Sequence, residues 1–169
     1  MSRFKLFYTR RLLVMGLFST FLSILSTPKK AMAAFKAENH FSSLDNKSWR
    51  ERLTPQAYNV LRNEGTEPPF SSALNDEKRE GIFYCSGCDA PLFSSKNKFD
   101  SGTGWPSFWA SLDQAIDTKV DFKLIVPRTE YHCRTCGGHQ GHVFEDGPKP
   151  TGKRYCNNGV ALNFKPTSL

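Results

Sequence analysis

Three stretches differ in their pattern of apolar and polar positions. Leu12–Leu25 is almost uniformly apolar, residues 34–47 read as a linker, and short apolar runs bounded by turn residues fill the rest. Thr54–Gly65 predicts a helix. Thr54 can cap it, Pro55 suits its first position, Ala57, Val60 and Leu61 line one face, and Gly65 can close it. Ser48–Leu53 predicts a single helical turn, and polar Thr66–Glu80, with Pro68-Pro69, a surface wrap. Strand signals follow at Gly81–Tyr84, Ala90–Phe93 and Asp117–Val126. In the third, Val120, Phe122, Leu124 and Val126 alternate with Lys119, Asp121 and Lys123, as on a strand with one apolar face. The final stretch, Arg154–Phe164, places Arg154, Cys156 and Asn158 in one row, followed by Val160, Leu162 and Phe164. One clear helix ahead of many short strands predicts a mainly β domain over residues 48–166.

The front of the chain reads as an export signal over residues 1–33. A basic start precedes an apolar run of about 14 residues, short of the ~20 that span a bilayer, and Ala31-Met32-Ala33 offers a cleavage site. Thr9-Arg10-Arg11-Leu12-Leu13-Val14 has the form of a twin-arginine signal, with Lys29 and Lys30 ahead of the cleavage site. A cleaved signal predicts a mature chain from Ala34 that is periplasmic or otherwise exported. An uncleaved membrane anchor and an organelle presequence are the alternatives. The formal charge of +7 is concentrated here: the remainder carries 17 basic against 16 acidic residues. So even a balance gives no electrostatic case for nucleic acid or membrane binding.

The cysteines change the picture most. Cys85-Ser86-Gly87-Cys88 and Cys133-Arg134-Thr135-Cys136-Gly137 are two C-x-x-C turns, 44 residues apart. Two such pairs predict one closed, four-thiolate structural zinc site, with a pair of disulfides as the alternative. Cys156 is left over. A guanidinium beside a thiol stabilises the thiolate, so Arg154 makes Cys156 a candidate nucleophile, and Asn158 can orient a ligand. The contrasting reading is a buried, inert cysteine.

Two further motifs carry chemistry. Phe99–Trp109 contains Gly102, Gly104 and Pro106 beside Trp105, Phe108 and Trp109, and can wall a small apolar pocket. His139-Gln140-Gly141-His142-Val143-Phe144 is too glycine-rich for a helix and reads as loop or strand. With four metal positions already filled by sulfur, His139 and His142 point to proton transfer near neutral pH, with a structural role as the alternative.

These motifs together resemble the B-type methionine sulfoxide reductases. The matching pieces are Ser101–Phe108, His139–Phe144, Asp146-Gly147-Pro148, Arg154–Asn158, both cysteine turns, the amino-terminal helix, and Gly65-Thr66-Glu67 with Phe70. The resemblance spans about Trp49 to Phe164. It implies two antiparallel β-sheets with small helices outside, and reduction of methionine-R-sulfoxide, free or protein-bound, as repair of oxidative damage. It implies Cys156 as the nucleophile that becomes a sulfenic acid, and His139 and His142 as the histidines that protonate the leaving oxygen. Trp105 would hold the substrate methyl, and Arg154, Asn158, Phe144 and Asp146 would line the same pocket. Zinc would be structural, the protein a monomer, and the reductant a thioredoxin-like protein or small thiol. Many family members place a resolving cysteine where this chain has Thr103, so this chain resembles the one-cysteine members, regenerated directly by an external thiol. A zinc-ribbon binding module and a general thiol oxidoreductase are the rivals, and the second would need another free cysteine.

Overall fold

The computed structural model describes residues 40–41, 43–123 and 126–167. The export signal read over residues 1–33, and all of the linker before His40, lie outside them. Among the described residues, no helix is long and apolar enough to cross a membrane.

Helix α1 spans Asn46–Arg52 and begins earlier than the expected turn, because the Asp45 side chain accepts from Ser48 N and caps it. Helix α2 spans Pro55–Asn63, capped by Thr54 Oγ1, which accepts from Ala57 N at 3.1 Å. Its left-handed closing residue is Glu64 (φ 55°), not Gly65. Salt bridges to Lys119 and Lys123 hold the Glu64 side chain there.

Among the described residues nine strands follow: β1 Gly81–Cys85, β2 Pro91–Ser94, β3 Lys98–Phe99, β4 Ser107–Phe108, β5 Ile116–Asp121, β6 Arg128–Cys133, β7 His139–Phe144, β8 Arg154–Asn157 and β9 Leu162–Pro166. They form two antiparallel sheets, β2-β1-β9 and β3-β4-β8-β7-β6-β5. The expected mainly β, two-sheet fold is the one observed.

Phe83, Leu92 and Phe93 pack from the smaller sheet against Phe108, Tyr131 and Tyr155 of the larger. Phe93 stacks on Phe108 with ring centroids 4.3 Å apart. Truncating either ring to alanine costs on the order of 3–5 kcal/mol.

Two strand readings need correction. Arg154–Phe164 is not one strand: it breaks at Asn158 into β8 and β9, which belong to different sheets, with a short 3-10 turn at Gly159–Ala161 between them. The Glu67 carboxylate accepts both Gly159 N and Val160 N, withdrawing them from any ladder. The row from Arg154 therefore ends at Cys156, and Leu162 and Phe164 serve the other sheet. The second correction concerns Asp117–Val126, which ends as a strand at Asp121 with its polarity inverted. Asp121 is buried, while Val120, Phe122 and Val126 are exposed. Here β5 is the edge strand, and the face it shares with its neighbours is polar because ion pairs satisfy it. Leu124 lies outside the described residues.

Candidate active site

Alternation along the strands sorts side chains between two faces of the larger sheet. Phe108, Tyr155 and Tyr131 take the core face. On the other face, residues in register form a row across five strands: Lys119 on β5, Glu130 on β6, His142 on β7, Cys156 on β8 and Ser107 on β4. One step along, Asp121 pairs with Arg128 and Phe144 with Arg154. Directly opposite residues share a face with Cβ atoms about 4.5–5.5 Å apart. His142 therefore stands beside Cys156 as a consequence of register.

His139 and His142 are three residues apart, a spacing that puts side chains on opposite faces of a regular strand. A register shift opposite Tyr131/His132 leaves Gln140 as an extra residue in β7. Such a bulge re-aims a side chain, and here the two rings meet with centroids 5.5 Å apart. Gly141, beside the bulge, lets β7 and β8 approach: a Cβ there would lie 1.9 Å from the Cys156 carbonyl oxygen.

Thr66, Trp105, Gly141, His142, Phe144 and Cys156 line a pocket of about 130 Å³, joined by Arg128, Asn157 and Asn158. Gly104 (φ 91°) brings the Trp105 loop onto Phe70, whose N–H donates to Gly104 O. Trp105 Nε1 donates to Glu67 O at 3.1 Å. The Asn158 side chain is committed to backbone, accepting from Glu67 N and donating to Gln140 O. It thus ties the Trp105 support to the histidine strand.

Three of the expected residues, His139, Arg154 and Asp146, sit back from this wall. His139 is 2% exposed behind His142, its Nδ1 2.8 Å from Glu130 Oε1. Burial lowers its pKa from the ordinary histidine value, against the pull of Glu130. Asp146 is largely exposed and engages Arg154 through two 2.9 Å hydrogen bonds, while the Arg154 guanidinium lies over the Phe144 ring at 4.3 Å.

That ion pair bears on the thiol. The sequence alone predicts a Cys156 pKa lowered by Arg154. Burial instead raises it above the ordinary thiol value, and the Arg154 charge and the Thr103 hydroxyl pull it only partly back. Asp146 works against Arg154 as the smallest of these influences. Burial thus favours the protonated thiol at Cys156.

Asp121, Arg128 and Glu130 lie at the candidate site but are given no role by the sequence reading, and Thr66 and Glu67 enter it only as part of a matching turn. The polar side chains on β5 and β6 read as solvent-facing, and pairing across strands turns them inward.

At the other end of β1 and β6, the Sγ atoms of Cys85, Cys88, Cys133 and Cys136 all lie within 4.8 Å of one another. The contacts Cys85–Cys136 and Cys88–Cys133 are 3.6 and 3.5 Å, and all four cysteines are free. A disulfide requires about 2.05 Å, whereas sulfurs on a tetrahedron of ~2.3 Å Zn–S bonds stand roughly 3.8 Å apart. The cluster therefore fits a metal ion and not the disulfide alternative. The left-handed residue is Asp89 in the first turn and Gly137 in the second. Arg52 and Arg62 of the helices donate to Gly87 O and Cys136 O.

Residues 53–166 match the SelR domain. The chain is 46% identical over 140 residues to the chloroplastic peptide methionine sulfoxide reductase B1 of Arabidopsis thaliana, covering 82% of this chain and 69% of that one. It is 50% identical over 117 residues to peptide methionine sulfoxide reductase MsrB of Hahella chejuensis, covering 69% and 84%. With MsrB of Leifsonia xyli the identity is 48% over 137 residues, covering 80% and 98%. The chain belongs to the SelR domain family, the B-type methionine sulfoxide reductases.

Proposed function

We propose that this peptide-methionine (R)-S-oxide reductase uses Cys156 as nucleophile and His142 as proton carrier. The observation that carries the reading is their pairing directly opposite each other across β7 and β8, inside the pocket walled by Trp105 and Phe144. Cys156 passes its proton to His142, and the thiolate attacks the sulfoxide sulfur. The imidazolium protonates the sulfoxide oxygen, which would otherwise be a poor leaving group. The bond from oxygen to the methionine sulfur breaks and the oxygen leaves as hydroxide, with Cys156 still joined to the substrate sulfur. Hydroxide then adds to the Cys156 sulfur, and the sulfur–sulfur bond breaks with its electron pair going to methionine, leaving Cys156 as a sulfenic acid. The substrate sulfur gains the two electrons that the Cys156 sulfur loses. One external thiol then condenses with the sulfenic acid and releases water. A second frees Cys156 and leaves as a disulfide.

In this reading Trp105 and Phe144 hold the substrate methyl and so select the epimer. Arg154 tempers the Cys156 pKa, Asp146 orients Arg154, Asn158 fixes the Trp105 support, and His139 backs the His142 ring. The substrate is methionine-R-sulfoxide, free or protein-bound, and a small thiol or a thioredoxin-like protein regenerates the enzyme. Zinc held by Cys85, Cys88, Cys133 and Cys136 supplies a folding clamp and no chemistry, because all four positions are taken by protein. Residues 1–33 direct export through the twin-arginine route. That route carries chains already folded with metal bound, and so protects four of the five thiols.

The test is turnover of both sulfoxide epimers by wild type and Cys156→Ser. Wild type should reduce only the R epimer, and Cys156→Ser neither, with its melting temperature unchanged. Residual turnover in Cys156→Ser would sink the mechanism.

A further inference from the structure

Asp121 ends β5 with a side chain 4% exposed, an unusual position for a carboxylate on a sheet edge. Its oxygens are fully engaged. Oδ1 accepts from Lys123 N at 2.8 Å, and Oδ2 meets both Arg128 Nη2 at 2.7 Å and His142 Nε2 at 2.8 Å. The Lys123 backbone N–H, then His142, then Arg128 hold its pKa well below the usual carboxylate range.

A carboxylate that stays ionised can only accept. The nitrogen facing it must therefore carry hydrogen whether His142 is neutral or protonated. We propose that Asp121 is the positioning residue for His142: it fixes hydrogen on Nε2, leaves Nδ1 as the nitrogen that takes and returns the Cys156 proton, and stabilises the imidazolium formed in between. The inference rests on the reading that His142 carries the proton. It assigns each ring nitrogen one task, as in other carboxylate–histidine pairs.

The rest of the surroundings agree. On its own strand His142 touches His139, whose pKa burial lowers. From β6 it faces Glu130 in register and Arg128 one step along. Glu130 is itself bound to His139 Nδ1 and to Lys119, which reaches Glu64 at the end of α2. From β8 it faces Cys156, with Arg154 beyond, bound to Asp146. Arg128 and Lys119 offset the Asp121 and Glu130 charges, and Asp121 is the carboxylate in hydrogen-bond contact with the His142 ring.

Two measurements test this. Nitrogen NMR of the neutral wild-type His142 ring should show hydrogen on Nε2 and none on Nδ1. A neutral ring with its hydrogen on Nδ1 would overturn the proposal, whatever the variants do. In Asp121→Asn, which keeps shape and removes charge, the preference for hydrogen on Nε2 should weaken, so that the Nδ1–H form appears beside it. At neutral pH kcat for methionine-R-sulfoxide should drop about tenfold or more with KM within about twofold. An unchanged tautomer and an unchanged kcat in Asp121→Asn would refute the role. Should Asp121→Asn fail to fold, the wild-type ring spectrum still decides. Full turnover by His142→Gln would sink instead the reading that His142 carries the proton.

Discussion

Five cysteines share this chain, and the fold gives them opposite surroundings. At the ends of β1 and β6 four sulfurs converge, each turn closed by backbone hydrogen bonds and braced by an arginine from a helix. Cys156 sits mid-sheet on the far side of β7, facing a histidine, a threonine hydroxyl and an aromatic-walled pocket open to solvent. Gln140 joins the two regions: its side chain donates to Cys85 Sγ, and its carbonyl accepts from Asn158 N and Nδ2. The contrast shows how one residue type takes two roles. Thiols that face one another and no cavity are placed to share a cation. A thiol alone beside a proton acceptor and a cavity is left able to attack.

The strongest way to break the comparison is to remove one sulfur from each region. Cys133→Ser should lose metal and folding together, read as absent zinc and a lost cooperative melt, since a structural site contributes folding free energy directly. Cys156→Ser should retain both while turnover disappears. A Cys133→Ser protein that melts like wild type would show that the cluster is not the clamp.

A smaller effect separates the charges around Cys156. Burial raises its pKa, Arg154 and Thr103 lower it, and Asp146 raises it. Alkylation of Cys156 should therefore accelerate as pH rises, with a midpoint above that of a free thiol. Arg154→Met removes the largest lowering influence and leaves Asp146 unopposed. The midpoint should then climb further, by at most about one pH unit, and alkylation at neutral pH should slow severalfold. Mass mapping of the Cys156 adduct across pH reads this, and a midpoint that moves down would contradict the charge assignment.

Local features were legible in the sequence, and long-range ones were not. Thr54 and Pro55 announced α2, and the paired C-x-x-C turns announced the sulfur cluster, because caps and tight turns depend on neighbours a few residues away. Cys156 stood out by elimination. The break at Asn158 was hidden because it depends on Glu67, more than ninety residues earlier. The bulge at Gln140, which alone puts both histidines on one face, follows from pairing with β6. Asp121 looked like the wet side of an amphipathic strand until Arg128 and His142 supplied its partners. At the active site the period-2 pattern inverts, and buried polar residues held by non-adjacent partners are the feature that periodicity misreads.

The finest test of the comparison gives Cys156 the thiol neighbour that the cluster cysteines have. Thr103 lies against the Cys156 sulfur, its hydroxyl favouring the thiolate and also bonding Ser101 Oγ at 2.8 Å. Gly102 and Gly104, both at positive φ, flank it in a loop that no strand pairing pins at that point. Thr103→Cys should therefore bring a second sulfur within bridging reach, which requires Cα atoms about 4.4–6.8 Å apart or a loop able to move there. Substrate would oxidise Cys156 to the sulfenic acid as before. The new thiol would then condense with it, releasing water and leaving an internal disulfide. The chemical step should change by no more than a fewfold, because Thr103 moves no proton. Steady-state turnover with thioredoxin should rise, because thiol–disulfide exchange acts on a disulfide. Mass spectrometry after one equivalent of methionine-R-sulfoxide should find the variant chain lighter by two hydrogens, with the engineered thiol linked to Cys156. A persisting sulfenic acid beside a free engineered thiol would mean that the loop does not reach the nucleophile, and that two sulfurs at this end cannot meet as they do in the cluster.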